Sequence, residues 1–225
     1  MEYNPLDKAN LGISVRDALL KQKPETFEPQ PPRFSGAGIY TIYYTGAFPP
    51  YERIAEQNRD GKFDQPIYVG KAVPAGARKG GIRKKSVKPA ANLHSRLHEH
   101  AKSIRAAANL RIEDFYFRYL TVDDIWIPLG KAYIIDKFEP LWNKVVEGFG
   151  IHTPGTRRKG QYTSRWDTLH PGRDFVSKLE LPPNPKTAEE IIQEIDAYLT
   201  LPPEEQAKLP VKEDGSDEDD GPEDS

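Results

Sequence analysis

The sequence predicts an α+β domain, a small sheet with helices on its faces. Three observations carry this reading. Runs rich in β-branched and aromatic residues recur at about 38–45, 66–69 and 115–122. A stretch of good helix formers, LHSRLHEHAKSIRAAA, fills 93–108, and Pro128 suits the first turn of another helix that continues from Lys131 to Phe138. Glycine, proline and asparagine mark the borders, which gives the order β, β, α, β, α.

Residues 1–35 read as an arm and a short helix. The first 13 show no periodicity, and Ser14 is the expected cap of a helix through Lys21 with Val15, Leu19 and Leu20 on one side. Four prolines make Pro24 to Pro32 an extended connector. In the first strand, alternation puts Ile39, Thr41 and Tyr43 on one face and Tyr40, Ile42 and Tyr44 on the other. An insertion at 46–65 holds a short helix from Pro49 to Asp60 that ends at Gly61. Residues 71–91 read as a Gly, Pro and Lys/Arg-rich loop, and Asn92 as the cap of the helix after it. Pro140 ends the last core helix.

Residues 146–200 are expected to hold a basic, aromatic-bearing DNA-contacting loop and a helix at 187–199. That helix opens with a capping box, Thr187 and Glu190, and carries Ile191, Ile192, Ile195 and Tyr198 as its apolar side. Residues 201–225 form an acidic tail of low complexity, expected to be disordered.

At 225 residues, 37% of them hydrophobic and 21 of them proline, the chain suits one modest core with long peripheral segments. No apolar run is long enough to span a bilayer, and the polar N-terminus has no signal-peptide h-region. The absence of cysteine excludes disulfides and thiolate metal sites and fits a reducing cytoplasm. The net charge of -2 hides a segregation: residues 212–225 carry -7, which leaves +5 on the rest. Residues 71–106 alone hold ten Lys or Arg against one acid, Glu99. A basic body with an acidic tail suits a protein that meets nucleic acid, although a solvated surface loop has the same composition.

Two nucleotide and metal motifs can be set aside. Gly70-Lys71-Ala72 lacks the hydroxyl that follows the lysine of a Walker loop, and position 65 is Gln rather than Gly. His94 and His98 have a zinc-ligand spacing but no third ligand of suitable type, and His98-Glu99-His100 is not an HExxH motif, so both read as surface residues.

The motifs that remain are Gly38-Ile39-Tyr40 in the first strand and Tyr68-Val69-Gly70 in the second, with Arg96, His100 and Asn143 downstream. In this order they resemble the GIY-YIG nuclease family over roughly residues 36–145. The resemblance implies a three-stranded, mainly antiparallel sheet flanked by helices, and it implies phosphodiester hydrolysis. It makes Tyr40 the tyrosine that faces the attacking water, Tyr68 a residue that orients water or phosphate, and Arg96 the contact to the scissile phosphate. A guanidinium fork can hold two phosphate oxygens. A free phenol is a poor base at neutral pH; nearby cations, Lys71 and Arg96, favour the phenolate, and His100 offers another route for the proton. Asn143 is expected to buttress the site by hydrogen bonding.

One position departs from the family. Twelve residues before Asn143, where part of the family carries its metal-binding glutamate, stands Lys131. A protonated lysine has no lone pair and repels Mg²⁺. Asp136, about 140° around the helix, is expected to face elsewhere, and Glu139 beside Pro140 is a poor substitute. The expectation is a nuclease scaffold with one Mg²⁺ per site weakened or lost.

Repair and intron-encoded members of the family carry separate domains. Here the additions surround and interrupt the core, which resembles a compact type II restriction endonuclease. That implies duplex DNA with a short palindromic site as substrate, a homodimer to match the two-fold site, and a partner DNA methyltransferase. The candidate DNA contacts are Arg78, Lys79, Arg83, Lys84 and Lys85 in the basic loop, with Arg157, Arg158, Lys159 and Arg165 further on. Two other readings stay open: a non-catalytic DNA-binding module on this scaffold, and a binder of RNA or of an acidic protein.

Overall fold

The computed structural model describes residues 7–29, 31–73, 92–151 and 160–212. Its centre is β2 (Gly38–Tyr44), buried along its whole length. It pairs antiparallel on one side with β3 (Tyr68–Ala72) and on the other with β4 (Phe115–Thr121). The register sets Tyr40 opposite Gly70 and Tyr119, and Ile42 opposite Tyr68 and Phe117. A fourth strand, β1, is only Glu25–Thr26, and the sheet order is β1-β4-β2-β3.

The alternation along β2 explains why both faces are covered. Tyr40, Ile42 and Tyr44 enter a large core with α3 (Asn92–Ala106). Ile39 enters a smaller one with Leu19 of α1 (Lys8–Leu20) and Ile134 and Ile135 of α4 (Ile127–Phe138). Each fully buried aliphatic side chain stabilises the fold by about 2 kcal/mol.

Three local expectations need correction. The first helix begins at Lys8, not at Ser14, because the Asp7 carboxylate accepts a hydrogen bond from Ala9 N at 3.0 Å and caps it. Within the proline-rich connector Glu25 and Thr26 pair with β4 and the chain bends at 27–29, so the sheet has four strands rather than three. The second strand runs past Gly70 to Ala72, because that glycine serves a packing need and not a turn. At the head of α3, Asn92 is the first helical residue and its amide donates to Val73 O at 3.0 Å.

The insertion at 46–65 consists of a short helix α2 (Glu52–Glu56) between turns of 3₁₀ helix. Asn58, fully buried, fastens it by donating to the carbonyls of Tyr44 and Gln65 and accepting from Gln65 N. After α5 (Leu141–Lys144) come α6 (Arg165–Leu169), α7 (Asp174–Lys178), α8 (Ala188–Thr200) and α9 (Pro203–Gln206). Both halves of the Thr187/Glu190 capping box are present. The apolar side of α8, Ile191, Ile195 and Tyr198, is buried against its own chain. No helix among the described residues is long and apolar enough to cross a membrane.

A buried polar chain ties this region to the core. Trp142 Nε1 donates to the Tyr51 hydroxyl at 3.0 Å, and that hydroxyl meets His170 Nε2 at 2.7 Å. His170 Nδ1 meets Asn109 Oδ1 at 2.8 Å, while the Asn109 amide nitrogen donates to Leu169 O. An amide oxygen accepts only, so Nδ1 carries the proton and Nε2 accepts from Tyr51. Burial, with Arg173 adding to it, pushes the imidazole down to about 3. His170 is therefore neutral in the folded chain, whereas the unfolded chain takes up the proton near pH 6.5. Stability is full above pH 6.5 and falls by about 1.4 kcal/mol per pH unit below it, until the folded imidazole titrates. Urea unfolding at pH 7 and pH 5 is expected to show a drop about 2 kcal/mol larger than in His170→Gln. Equal pH dependence in the two proteins would overturn this.

Candidate active site

Tyr40, Tyr68 and His100 meet on the α3 face of the sheet. Tyr40 comes from β2, Tyr68 from β3 and His100 from α3, and all three are buried. The Tyr40 hydroxyl lies 2.5 Å from His100 Nε2. The ring centroids of Tyr40 and Tyr68 are each 5.3 Å from that of His100. Gly70 makes this possible. A Cβ there would lie 2.1 Å from Tyr40 Cζ, so only glycine lets the phenol cross β3 towards α3. The last letter of the second motif thus has a steric cause that involves the last letter of the first.

Arg96 precedes His100 by one helical turn, on the same side of α3, and is half-buried. Asn143 holds the edge of β3. Its Oδ1 accepts from Val69 N at 2.8 Å and its Nδ2 donates to Val69 O at 3.0 Å, while Trp142 N donates to Ile67 O at 3.0 Å. A short stretch of α5 thereby satisfies backbone groups that an edge strand leaves unpaired.

Phe149 was not singled out from sequence. It stacks on His100 with centroids 4.4 Å apart and planes at 17°, and its edge meets Tyr68. Gly148 before it has φ +108°, a left-handed conformation, and its carbonyl accepts from Arg173 at 2.9 Å. Arg173 is itself fixed by Asp167 through two bonds of 2.6 Å. The only available sequence signal was Phe149 between two glycines, which does not name its partner.

Lys71 and Lys131 lie on the other side of the sheet from the tyrosines. Strand alternation turns Lys71 away from Tyr68 and Gly70, and it lines a cleft of about 790 Å³ together with Lys131, Asp136 and Glu139 of the α4 end. Asp136, expected to face elsewhere, therefore shares a wall with Lys131. A separation of about 140° still leaves two residues on one broad helix face when the cleft spans it. Glu139 is buried and forms an ion pair with Lys144 at 2.5 Å.

These residues do not fit a divalent cation. Mg²⁺ needs oxygen donors and tolerates few competing cations. The cleft is lined by four lysines, Lys71, Lys131, Lys144 and Lys208, against one exposed carboxylate in Asp136 and a second carboxylate already engaged by Lys144. Among the described residues no group of three or more His, Cys, Asp or Glu could hold a metal ion.

Of the expected DNA contacts, Arg78, Lys79, Arg83, Lys84, Lys85, Arg157, Arg158 and Lys159 lie outside the described residues. Arg165 corrects its expectation. It is buried and ion-paired to Glu194, with Glu147 at 3.9 Å. A guanidinium so enclosed locks α6 to α8 and is not exposed for a phosphate.

The described fold and motif positions agree with a comparison across known families. A family model described as Eco29kI GIY-YIG domain matches residues 32–199, about three quarters of the chain. Comparison with curated proteins gave no match. Taken with the antiparallel sheet and the two motif tyrosines on adjacent strands, this places the chain in the Eco29kI GIY-YIG family of type II restriction endonucleases, a restriction-type nuclease domain that acts on DNA.

Proposed function

We propose that this chain is a site-specific double-strand DNA endonuclease in a catalytically impaired form. Phosphodiester hydrolysis requires deprotonation of water, stabilisation of a crowded anionic transition state, and relief of charge on the leaving oxygen. Tyr40 and His100 supply the first: at 2.5 Å the phenol and imidazole pass a proton between them without rearrangement. Arg96 supplies the second by gripping the phosphate. Tyr68 orients the reacting groups and Asn143 holds β3 in register, whereas Lys71, expected among them, faces the other side of the sheet and takes no part at this pair. A divalent metal, Mg²⁺ in this reading, would supply the third in an active relative with a carboxylate at position 131.

The single observation that supports impairment is the cleft itself, where Lys131 and Lys71 stand with Asp136. The same observation favours a second reading, a DNA-binding module that never cuts. Both readings keep duplex DNA as the ligand; the endonuclease reading adds a palindromic target, a homodimer and a partner methyltransferase. Binding of duplex DNA is expected to weaken with salt, with a log-log slope of about -0.9 for each phosphate neutralised. A flat response would remove DNA as the ligand, and the Lys131→Glu digest described below separates the two readings.

A further inference from the structure

The family motifs end at Asn143, yet the chain beyond them returns to the Tyr40–His100 pair. The acidic end, 213–225, lies outside the described residues, whereas 144–151 and 160–174 lie within them. Phe149 is the point where this extension reaches His100. Its ring is fully buried between the imidazole, 4.4 Å away at 17°, and Trp142, 4.5 Å away at 53°. Trp166 lies 5.3 Å off, and Tyr68 meets the ring edge-on at 5.0 Å.

One guanidinium holds the backbone behind that ring. Arg173 donates to the carbonyls of Gly148, Phe149 and Ile151, and two bonds of 2.6 Å fix it to Asp167. It also lies over the Trp166 ring, 4.5 Å from the centroid. Gly148 completes the turn. Its φ of +108° is left-handed, and a Cβ there would lie 2.2 Å from Cβ of Ser164, whose hydroxyl caps α6. The position of Phe149 is therefore set by α6 and the segment after it, not by the sheet.

The terminal torsion of a histidine is intrinsically broad, so packing must choose the plane of the ring. Stacking does so here. Turning the imidazole out of its plane would drive a ring edge into the face of Phe149, in an interior with no room to yield. That plane also sets the direction from which Nε2 meets the Tyr40 hydroxyl at 2.5 Å. Misplacement by about 1 Å in such a geometry can cost about 10²-fold in rate.

We propose that Phe149, clamped through its backbone by Arg173 and Asp167, is a positioning residue that holds the His100 ring in the plane from which Nε2 meets the Tyr40 hydroxyl. Its effect on cleavage rests on the proton-transfer reading above; its effect on the hydrogen bond does not.

Two measurements on the full-length chain separate these effects. Phe149→Met keeps an adaptable apolar side chain and removes the flat face. The first measurement leaves Lys131 in place. The proton in so short a hydrogen bond resonates far downfield in the NMR spectrum, and its signal is identified by its loss in Tyr40→Phe. In Phe149→Met it is expected to move upfield or vanish by exchange with water. It is expected to persist in Leu19→Ala, which opens the core on the other face of the sheet. An unmoved signal in Phe149→Met, or equal loss in Leu19→Ala, overturns the proposal. So does its absence from the unsubstituted chain. The second measurement is single-turnover cleavage of saturating duplex DNA in the Lys131→Glu background. Phe149→Met is expected to slow it by about 10- to 10²-fold with DNA affinity nearly unchanged, and to add less than about threefold once Tyr40 is Phe. Equal losses with and without the Tyr40 hydroxyl overturn the proposal. A signal that moves while the rate does not, or a Lys131→Glu chain that never cleaves, leaves Phe149 holding the pair and removes the proton-transfer reading instead. Should Phe149→Met fail to fold, Arg173→Lys is read in the same two ways, because lysine keeps the charge beside Asp167 but cannot serve three carbonyls.

Discussion

Lys131→Glu is expected to raise cleavage of plasmid DNA by about 10²-fold or more in the presence of excess Mg²⁺. The substitution exchanges an ammonium for a carboxylate on a wall that already carries Asp136. Two carboxylates in one cleft give a divalent cation hard oxygen donors of the kind that it requires, and the charge change also lowers the repulsion. Position 131 is half-buried near the start of α4, so a shorter acidic side chain is accommodated without loss of core contacts. The assay is a digest with Mg²⁺ and with a chelator. Discrete fragments that require the metal indicate a restriction enzyme; a metal-dependent smear indicates a nonspecific nuclease. Intact plasmid would remove the impaired-enzyme reading and leave a binding module.

The second large effect concerns the proton. In a cleaving Lys131→Glu background, Tyr40→Phe is expected to reduce the rate by about 10²–10⁴-fold with little change in DNA affinity. Phenylalanine keeps the ring that Gly70 accommodates and removes only the hydroxyl at 2.5 Å from His100. Loss of one buried hydrogen bond costs roughly 1–3 kcal/mol of stability, so the folded state should survive and thermal unfolding can verify it. A rate within a few-fold of the parent, with the fold intact, would exclude the Tyr40–His100 pair from proton transfer.

Much of the scaffold was legible because it depends on local periodicity. The alternation in residues 38–44 correctly divided β2 between two cores, since side chains in a strand must point to opposite faces. The helix at 187–199 was legible through its capping box, whose two halves are three residues apart. The start of α1 was not, because the Asp7 cap competes with an equally reasonable one at Ser14. The proline-rich connector gave no hint of β1, since strand pairing there depends on the exposed edge of β4 almost a hundred residues away.

Sequence by itself determined which residues are the candidates: two motif tyrosines, an arginine and a histidine one turn apart, and a lysine twelve residues before Asn143. Only tertiary structure decided which of them meet. It set Tyr40 against His100 across 60 residues, turned Lys71 to the opposite face, and brought Asp136 beside Lys131. It also enclosed Arg165 within an ion pair and laid Phe149 on the imidazole. The reason is physical: periodicity assigns a side chain to a face, but close packing between distant segments chooses what that face touches.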